Sequence, residues 1–307
     1  MGYLFCIIAS IILIVAAPLS SSAETGIKKV TNSVYAYLGY MDEITKSNEG
    51  FISNCGFIVT DEGVVVVDTQ LTPDLGRKLL SEIRKVTNKP VKYVINTHFH
   101  PDHFFGNQVF KDTAVIISHE NTRTHILDRG EFAIKTFRER LGELFDDAEV
   151  VLPMVTFNNK LTIHLGGRKI EISYFGRGHT DGDAIVYVPD EKVVFAGDLV
   201  NNGRLPFIGD GHSGDLVETL KKMDALDVNL VIPGHGYVSD KTGIAKSREF
   251  IEDLRAEVKK YIENGKSLQQ TINEIKMPKY NELGRHDLLP RNAKKVYLEF
   301  EDEILFK

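Results

Sequence analysis

The sequence has no surplus of positive charge: 37 Lys and Arg face 43 Asp and Glu, for a formal net charge of −6. A nucleic-acid partner is therefore not expected, since binding one requires spare cations to neutralise phosphates. Cysteine is almost missing, with two in 307 residues. Cys6 falls inside an N-terminal apolar run, so a chain trimmed there keeps Cys55 alone and can form no internal disulfide. Its stability must then come from its core and any bound metal. Cys55 lies in the strand-like stretch Phe51 to Val59 with no neighbour at ligand spacing, and reads as a buried small hydrophobe. Linkers, low-complexity segments and short-period repeats are also missing. That leaves one domain over residues 24–307, ending in a helical extension.

The apolar run Tyr3 to Ala17 leads into Pro18-Leu19-Ser20-Ser21-Ser22-Ala23, a small-residue exit. Residues 1–23 thus read as a signal peptide cleaved before Glu24, giving a periplasmic or secreted product without stable membrane association. The segment before the run lacks Lys and Arg, so an uncleaved anchor is the competing expectation. The run is short against the roughly 20 residues a span needs. Cys6 does not follow a small-residue lipobox, and lipidation is not expected.

Strand and helix periods alternate through the rest. Val34 to Leu38 reads as a strand. Phe51 to Thr60 and Val64 to Asp68 read as a hairpin turning at Asp61-Glu62-Gly63. Pro73 opens a helix with Leu75, Leu79, Leu80, Ile83 and Val86 at helical spacing, and Val91 to Thr97 is a buried strand after Pro90. Asp102 to Phe110 reads as a short helix, Ala114 to Ser118 as a strand, and 119–147 as helical. His119 and His125 there are expected to pack or face solvent. Leu161 to Leu165, Lys169 to Phe175, Val186 to Val188 and Val193 to Ala196 form a second strand set. A helix over Asp215 to Leu226, a strand over Asn229 to Pro233 and helices from Thr242 onward follow. The second half repeats the scheme of the first, which points to an α/β fold of two similar halves.

The strand Val91 to Thr97 runs into His98-Phe99-His100-Pro101-Asp102-His103. α/β sheets place ligands at such strand ends, and imidazole nitrogens and carboxylate oxygens suit zinc. In an extended segment His98 and His100 point the same way. Asp102 and His103 follow at a turn and face a second point, the layout of a two-metal site. Three further strand-like runs end in glycine-flanked ligand types: Gly178-His179, Gly197-Asp198 and Gly234-His235.

Together these stretches resemble the metallo-β-lactamase superfamily. The resemblance rests on H-x-H-x-D-H at 98–103, on Gly178 to Asp183, on Phe195-Ala196-Gly197-Asp198 and on Pro233-Gly234-His235-Gly236, and covers about residues 30 to 240. It implies an αβ/βα four-layer sandwich of two mixed sheets flanked by helices, with metals at one edge. It also implies two Zn2+ per chain: His98, His100 and His179 on one, Asp102, His103 and His235 on the other, and Asp198 between them. The chemistry implied is hydrolysis of a small-molecule carbonyl compound (β-lactam, lactone, ester or thioester) by a metal-bridging hydroxide, which Asp102 would orient and relieve of a proton. Asp68, Asp181 and Asp183 are candidates for fixing imidazole tautomers.

The pattern departs from the best-known secreted zinc β-lactamases. They carry cysteine where this chain has Asp198, and a lysine soon after, where this chain runs Leu199-Val200-Asn201-Asn202. The stretch Asn202 to Phe207 through Gly209 to His212, and the tail Leu289-Pro290-Arg291-Asn292 placed before a final helix, resemble an exported, cyclase-like branch of that family. Arg204 and Asn201 are candidate substrate contacts. Arg204 would either grip a substrate carboxylate or anchor its loop by a salt bridge, and His212 reads as a loop residue. The alternative function, from another class, is a periplasmic metal-binding accessory or maturation protein of a redox enzyme system. A purely structural metal site would not need Asp102.

Overall fold

The computed structural model describes residues 25–305, so the expected cleavage before Glu24 lies outside the described residues. The first sheet takes its strands in chain order: β1 (Gly26–Lys29), β2 (Val34–Leu38), β3 (Cys55–Val59), β4 (Val64–Val67), β5 (Val91–Asn96), β6 (Val115–His119) and β7 (Val155–Phe157). Its pairs are antiparallel up to β4 and parallel from β4 to β7. The second contains β8 (Lys160–Leu165), β9 (Arg168–Tyr174), β10 (Ala184–Val188), β11 (Val193–Asn201), β12 (Leu230–His235) and β13 (Ser239–Asp240). Only β11 and β12 pair in parallel there.

Side-chain alternation explains the layering, because successive strand residues face opposite sides of a sheet. Val65 and Val67 of β4 join Val186, Val193 and Ile232 of the other sheet in a core between the two sheets. Val64 and Val66 face the other way, into a core shared with α1 (Pro73–Val86) and α3 (Glu120–Leu141). Val194 and Ala196 of β11 likewise face α4 (Ser213–Asp224), α5 (Thr242–Glu263) and α7 (Leu288–Leu305). Strands buried on both faces read as continuous apolar runs, which accounts for the all-valine β4. The order is helix, sheet, sheet, helix, as the resemblance implied.

Three local expectations need correction. The strand expected from Phe51 begins only at Cys55. Phe51 to Asn54 form a buried loop instead, where Asn54 Nδ2 donates to the carbonyls of Pro233 (2.9 Å) and Gly236 (2.8 Å). These bonds tie the two sheets together at one edge. The short helix after His100 is α2 (Pro101–Phe104), and a 3-10 turn, Phe105–Val109, continues it. Leu289 to Asn292 lie inside α7 rather than before it; a proline in the first turn lacks only an N–H that has no helical partner there. Among the described residues, no helix is long and apolar enough to cross a membrane.

Candidate metal centre

Parallel pairing of β4 with β5, and of β11 with β12, brings their C-terminal ends to one edge. Thr97 links that edge to the second sheet, its carbonyl accepting from the Ala184 N–H at 2.7 Å. Seven side chains converge there in two groups: His98, His100, His179 and Asp198, and next to them Asp102, His103 and His235. Asp198 lies between the groups. Its Oδ2 is 3.5 Å from His179 Nε2 and 3.1 Å from His235 Nε2, while Oδ1 is 3.3 Å from His103 Nε2. Asp102 Oδ2 is 3.7 Å from His103 Nε2 and 3.5 Å from His235 Nε2. The approach needs a residue without Cβ at Gly234, where a Cβ would fall 1.8 Å from Asp198 Oδ1.

Each imidazole is turned by a partner behind it. His179 Nδ1 donates to the Phe207 carbonyl and His235 Nδ1 to the Ile52 carbonyl, both at 2.8 Å. His103 Nδ1 donates to Asp68 Oδ2 at 2.8 Å. The Thr97 hydroxyl donates to the same carboxylate at 2.8 Å, so its oxygen accepts from His98 Nδ1 at 3.0 Å. His100 is reversed: Nε2 donates to Asp210 Oδ2 at 3.0 Å and Nδ1 faces inward. Five ring nitrogens are thereby left with lone pairs aimed into one space.

That space is short of protons. His98 Nε2, His103 Nε2 and Asp198 Oδ1 are buried without a hydrogen-bond partner, in a class of atom that is normally satisfied. His100 Nδ1 and His179 Nε2 meet at 2.8 Å, an encounter of lone pairs that a cation relieves. Burial, then the proximity of His103 and His100, holds His98 well below the usual imidazole range. His179 is pulled down to about 3, burial being the main cause. Burial pulls His103 down too, but Asp102, Asp68 and Asp198 outweigh it and raise it well above the usual range. For Asp198, burial is overcome by His235, His103 and His179, which hold its carboxyl well below the usual carboxylate range. Neutral His98 and His179 and an ionised Asp198 are what a divalent cation needs, and its charge would displace the proton that the three carboxylates favour on His103, so the donor set fits zinc.

Asp68 supports the centre in the way the sequence reading proposed. It is buried, takes a left-handed φ of 60° and accepts from the Thr97 N–H at 2.7 Å; such strain at a non-glycine persists where surrounding bonds over-determine it. The other two candidates do different work. Asp183 accepts from the Thr180 N–H (2.8 Å) and hydroxyl (2.7 Å), shaping the loop that carries His179. Asp181 faces α3 and accepts from His125 at 2.9 Å. His119 and His212 are N-caps of α3 and α4. Cys55 is buried, with Gln70 Nε2 3.0 Å from its sulfur.

Asn201 donates to the Asp198 carbonyl at 3.1 Å, leaving its own Oδ1 buried and unpartnered. Arg204 is 4 % exposed. Its one hydrogen bond is a 3.4 Å contact from Nε to the Leu205 carbonyl, and Nη1 has no partner. Among the described residues no carboxylate comes within salt-bridge distance of it, so the loop-anchoring salt bridge is absent. Burial pulls the guanidinium down to about 10, opposed by the charges of Asp198 and Asp102. The loop is anchored by backbone instead: Leu205 N–H donates to the Gly284 carbonyl (2.9 Å) and Gly284 N–H to that of Gly203 (2.8 Å). Sequence reasoning missed Asp210, and also the Phe207 and Ile52 carbonyls, which carry no residue-type signal.

Residues 48–235 match the model of the Metallo-beta-lactamase superfamily, and all seven converging side chains lie within that span. The chain belongs to the metallo-β-lactamase superfamily. It is 29% identical over 229 residues to a metallo-beta-lactamase type 2 of Bacillus sp. (strain 170), covering 71% of this chain and 80% of that protein. It is 23% identical over 261 residues to a linear primary-alkylsulfatase of Pseudomonas sp., covering 72% of this chain but only 49% of that relative. Among solved structures, a metallo-beta-lactamase from Pontibacter korlensis superposes with a TM-score of 0.62 at 21% identity, over 75% of this chain and 99% of that one. A stereoselective inverting sec-alkylsulfatase from Pseudomonas sp. does so with a TM-score of 0.69 at 17% identity, over 90% of this chain and 50% of that one. These superfamily relatives are hydrolases by name.

Proposed function

We propose that the protein is an exported dinuclear zinc hydrolase acting on a small-molecule carbonyl substrate (an ester, lactone, thioester or β-lactam). The observation that carries this is the set of inward lone pairs and orphaned atoms at one sheet edge, every ring held by an outer partner. His98, His100 and His179 would hold one Zn2+, and Asp102, His103 and His235 the other, with Asp198 shared. When bound, a pair of such cations polarises a carbonyl and acidifies water.

The protein's own groups supply the rest. Asp102 lies at the mouth of the site, its side chain 12% exposed, and would take up a proton there and return it to a leaving group. Arg204 is a buried cation with no carboxylate within salt-bridge distance among the described residues, suited to a planar anionic group on the substrate, and Asn201 Oδ1 is a free acceptor on the same segment. Sulfate esters belong among the substrates to be tested because one sequence relative is named a linear primary-alkylsulfatase. The test is a panel of chromogenic β-lactams, lactones, thioesters, carboxylic esters and sulfate esters on zinc-loaded protein, repeated on Asp102→Asn. A loss of turnover of about two orders of magnitude, with zinc content kept, supports catalysis. Equal rates in wild type and variant would remove the hydrolase reading and favour a metal-binding accessory protein.

A further inference from the structure

Beside the metal centre, α3 leaves a groove open. Phe99 and Phe104 form its floor, Ile126, Ala133 and Phe137 of α3 its wall, and Phe132 its outer lip; its volume is about 230 Å³. Phe132 is 73% exposed. Apolar surface of this kind, contiguous and next to a reactive centre, usually marks a binding face. Three features assign an occupant. His100 lines the groove and turns its Nδ1 to the metal centre, with Asp210 held on its outer Nε2, so the groove abuts that centre. The volume falls below the roughly 300–1,000 Å³ of pockets that enclose a whole ligand, so the groove suits part of a molecule. The ion pair in its lining stands beside His100, where Arg129 pairs with Asp210 at 3.2 Å and lies over the Phe99 ring at 4.9 Å.

We infer that this groove takes the unbranched acyl or alkyl part of the substrate while the reacting group sits at the metal centre. The inference rests on the hydrolase reading, and it makes the substrate an amphiphile. The rigid floor comes from the metal-binding turn itself: Phe99 is pinned between His125, 4.5 Å from its ring centre, and Arg129. A tail packed on Phe99 would therefore be held at a fixed distance from His100.

Full-length, zinc-loaded protein is assayed with p-nitrophenyl esters from acetate to hexanoate, and separately titrated with N-phenyl-1-naphthylamine, a neutral apolar fluorophore. The variants are Ala133→Trp, which fills the groove, and Phe132→Asp, which charges its lip at an exposed position and keeps the test valid should the tryptophan disturb folding. Wild type should gain up to about fourfold in kcat/KM per added methylene and should enhance the probe's fluorescence. Both variants should lose the chain-length dependence and the enhancement while turning over the acetate ester within about twofold of wild type, a change too small to report lost tail burial. A flat chain-length series in a wild type that hydrolyses acetate overturns the assignment, and with probe binding it gives the groove to another partner. If no p-nitrophenyl ester is turned over, the hydrolase reading is left to the wider substrate panel and the probe alone decides on the groove. Enhancement lost in both variants then keeps the groove as an apolar binding site, and enhancement unaffected by either overturns it.

Discussion

Arg204 shows what a single residue can and cannot reveal in sequence. Its type and its place after Asp198 marked it as a substrate contact, but that no carboxylate among the described residues pairs with it shows only in the fold. Its burial without a partner leads to a two-sided prediction. A buried charge without a partner is costly, so Arg204→Met should not destabilise the fold, just as replacing buried ion pairs by apolar side chains is neutral or stabilising by about 1–4 kcal/mol. It should also raise KM for anionic substrates by about tenfold or more, the scale of a lost hydrogen bond to a charged group, with kcat little changed. Denaturant melts and a KM comparison between anionic and neutral substrates check this; a destabilised variant would mean that the guanidinium has a structural partner. The seven converging residues were legible for a simpler reason: each is a ligand type within or shortly after an apolar strand run, and those runs lead to one edge.

Elements beyond residue 235, outside the family match, set the loop that follows Asp198. Asn292 of α7 donates to the Pro206 carbonyl at 2.7 Å. Glu299 of α7 accepts from the Ser213 N–H at 3.0 Å and from its hydroxyl, capping α4, and pairs with Arg255 at 3.3 Å. Glu299→Ala leaves the buried Ser213 N–H and hydroxyl without their acceptor, while Arg255 keeps Glu303 at 3.0 Å, and should cost about 2 kcal/mol. Urea denaturation checks it, and a loss under about 0.5 kcal/mol, ordinary for a surface change, would show that α7 does not brace the loop. None of this was legible, because helical periodicity reports which face is buried but not what it is buried against. The same limit explains the strand drawn too early at Phe51: the run is apolar, yet Asn54 spends its bonds on the opposite sheet.

At the scale of the whole molecule, the two-halved architecture was readable, since runs such as Val64 to Val67 and Val193 to Ala196 are apolar on both faces and so must lie between layers. What no sequence pattern states is that the sheets close over buried donors of which His98, His179 and Asp198 are held unprotonated. Folding therefore concentrates His98, His179 and Asp198 at a cost that metal would offset. Metal at about a hundredfold over its Kd adds about 2.7 kcal/mol. At roughly 2–4 °C per kcal/mol for a chain of this size, a chelator should lower Tm by several degrees; an unchanged Tm would mean that the centre does not contribute to the fold. The most direct measurement is zinc per chain, by elemental analysis of purified protein after zinc saturation and exhaustive dialysis. A dinuclear centre built from these seven side chains predicts two equivalents, falling to one or none in Asp198→Ala. One equivalent or none in the wild type would contradict it.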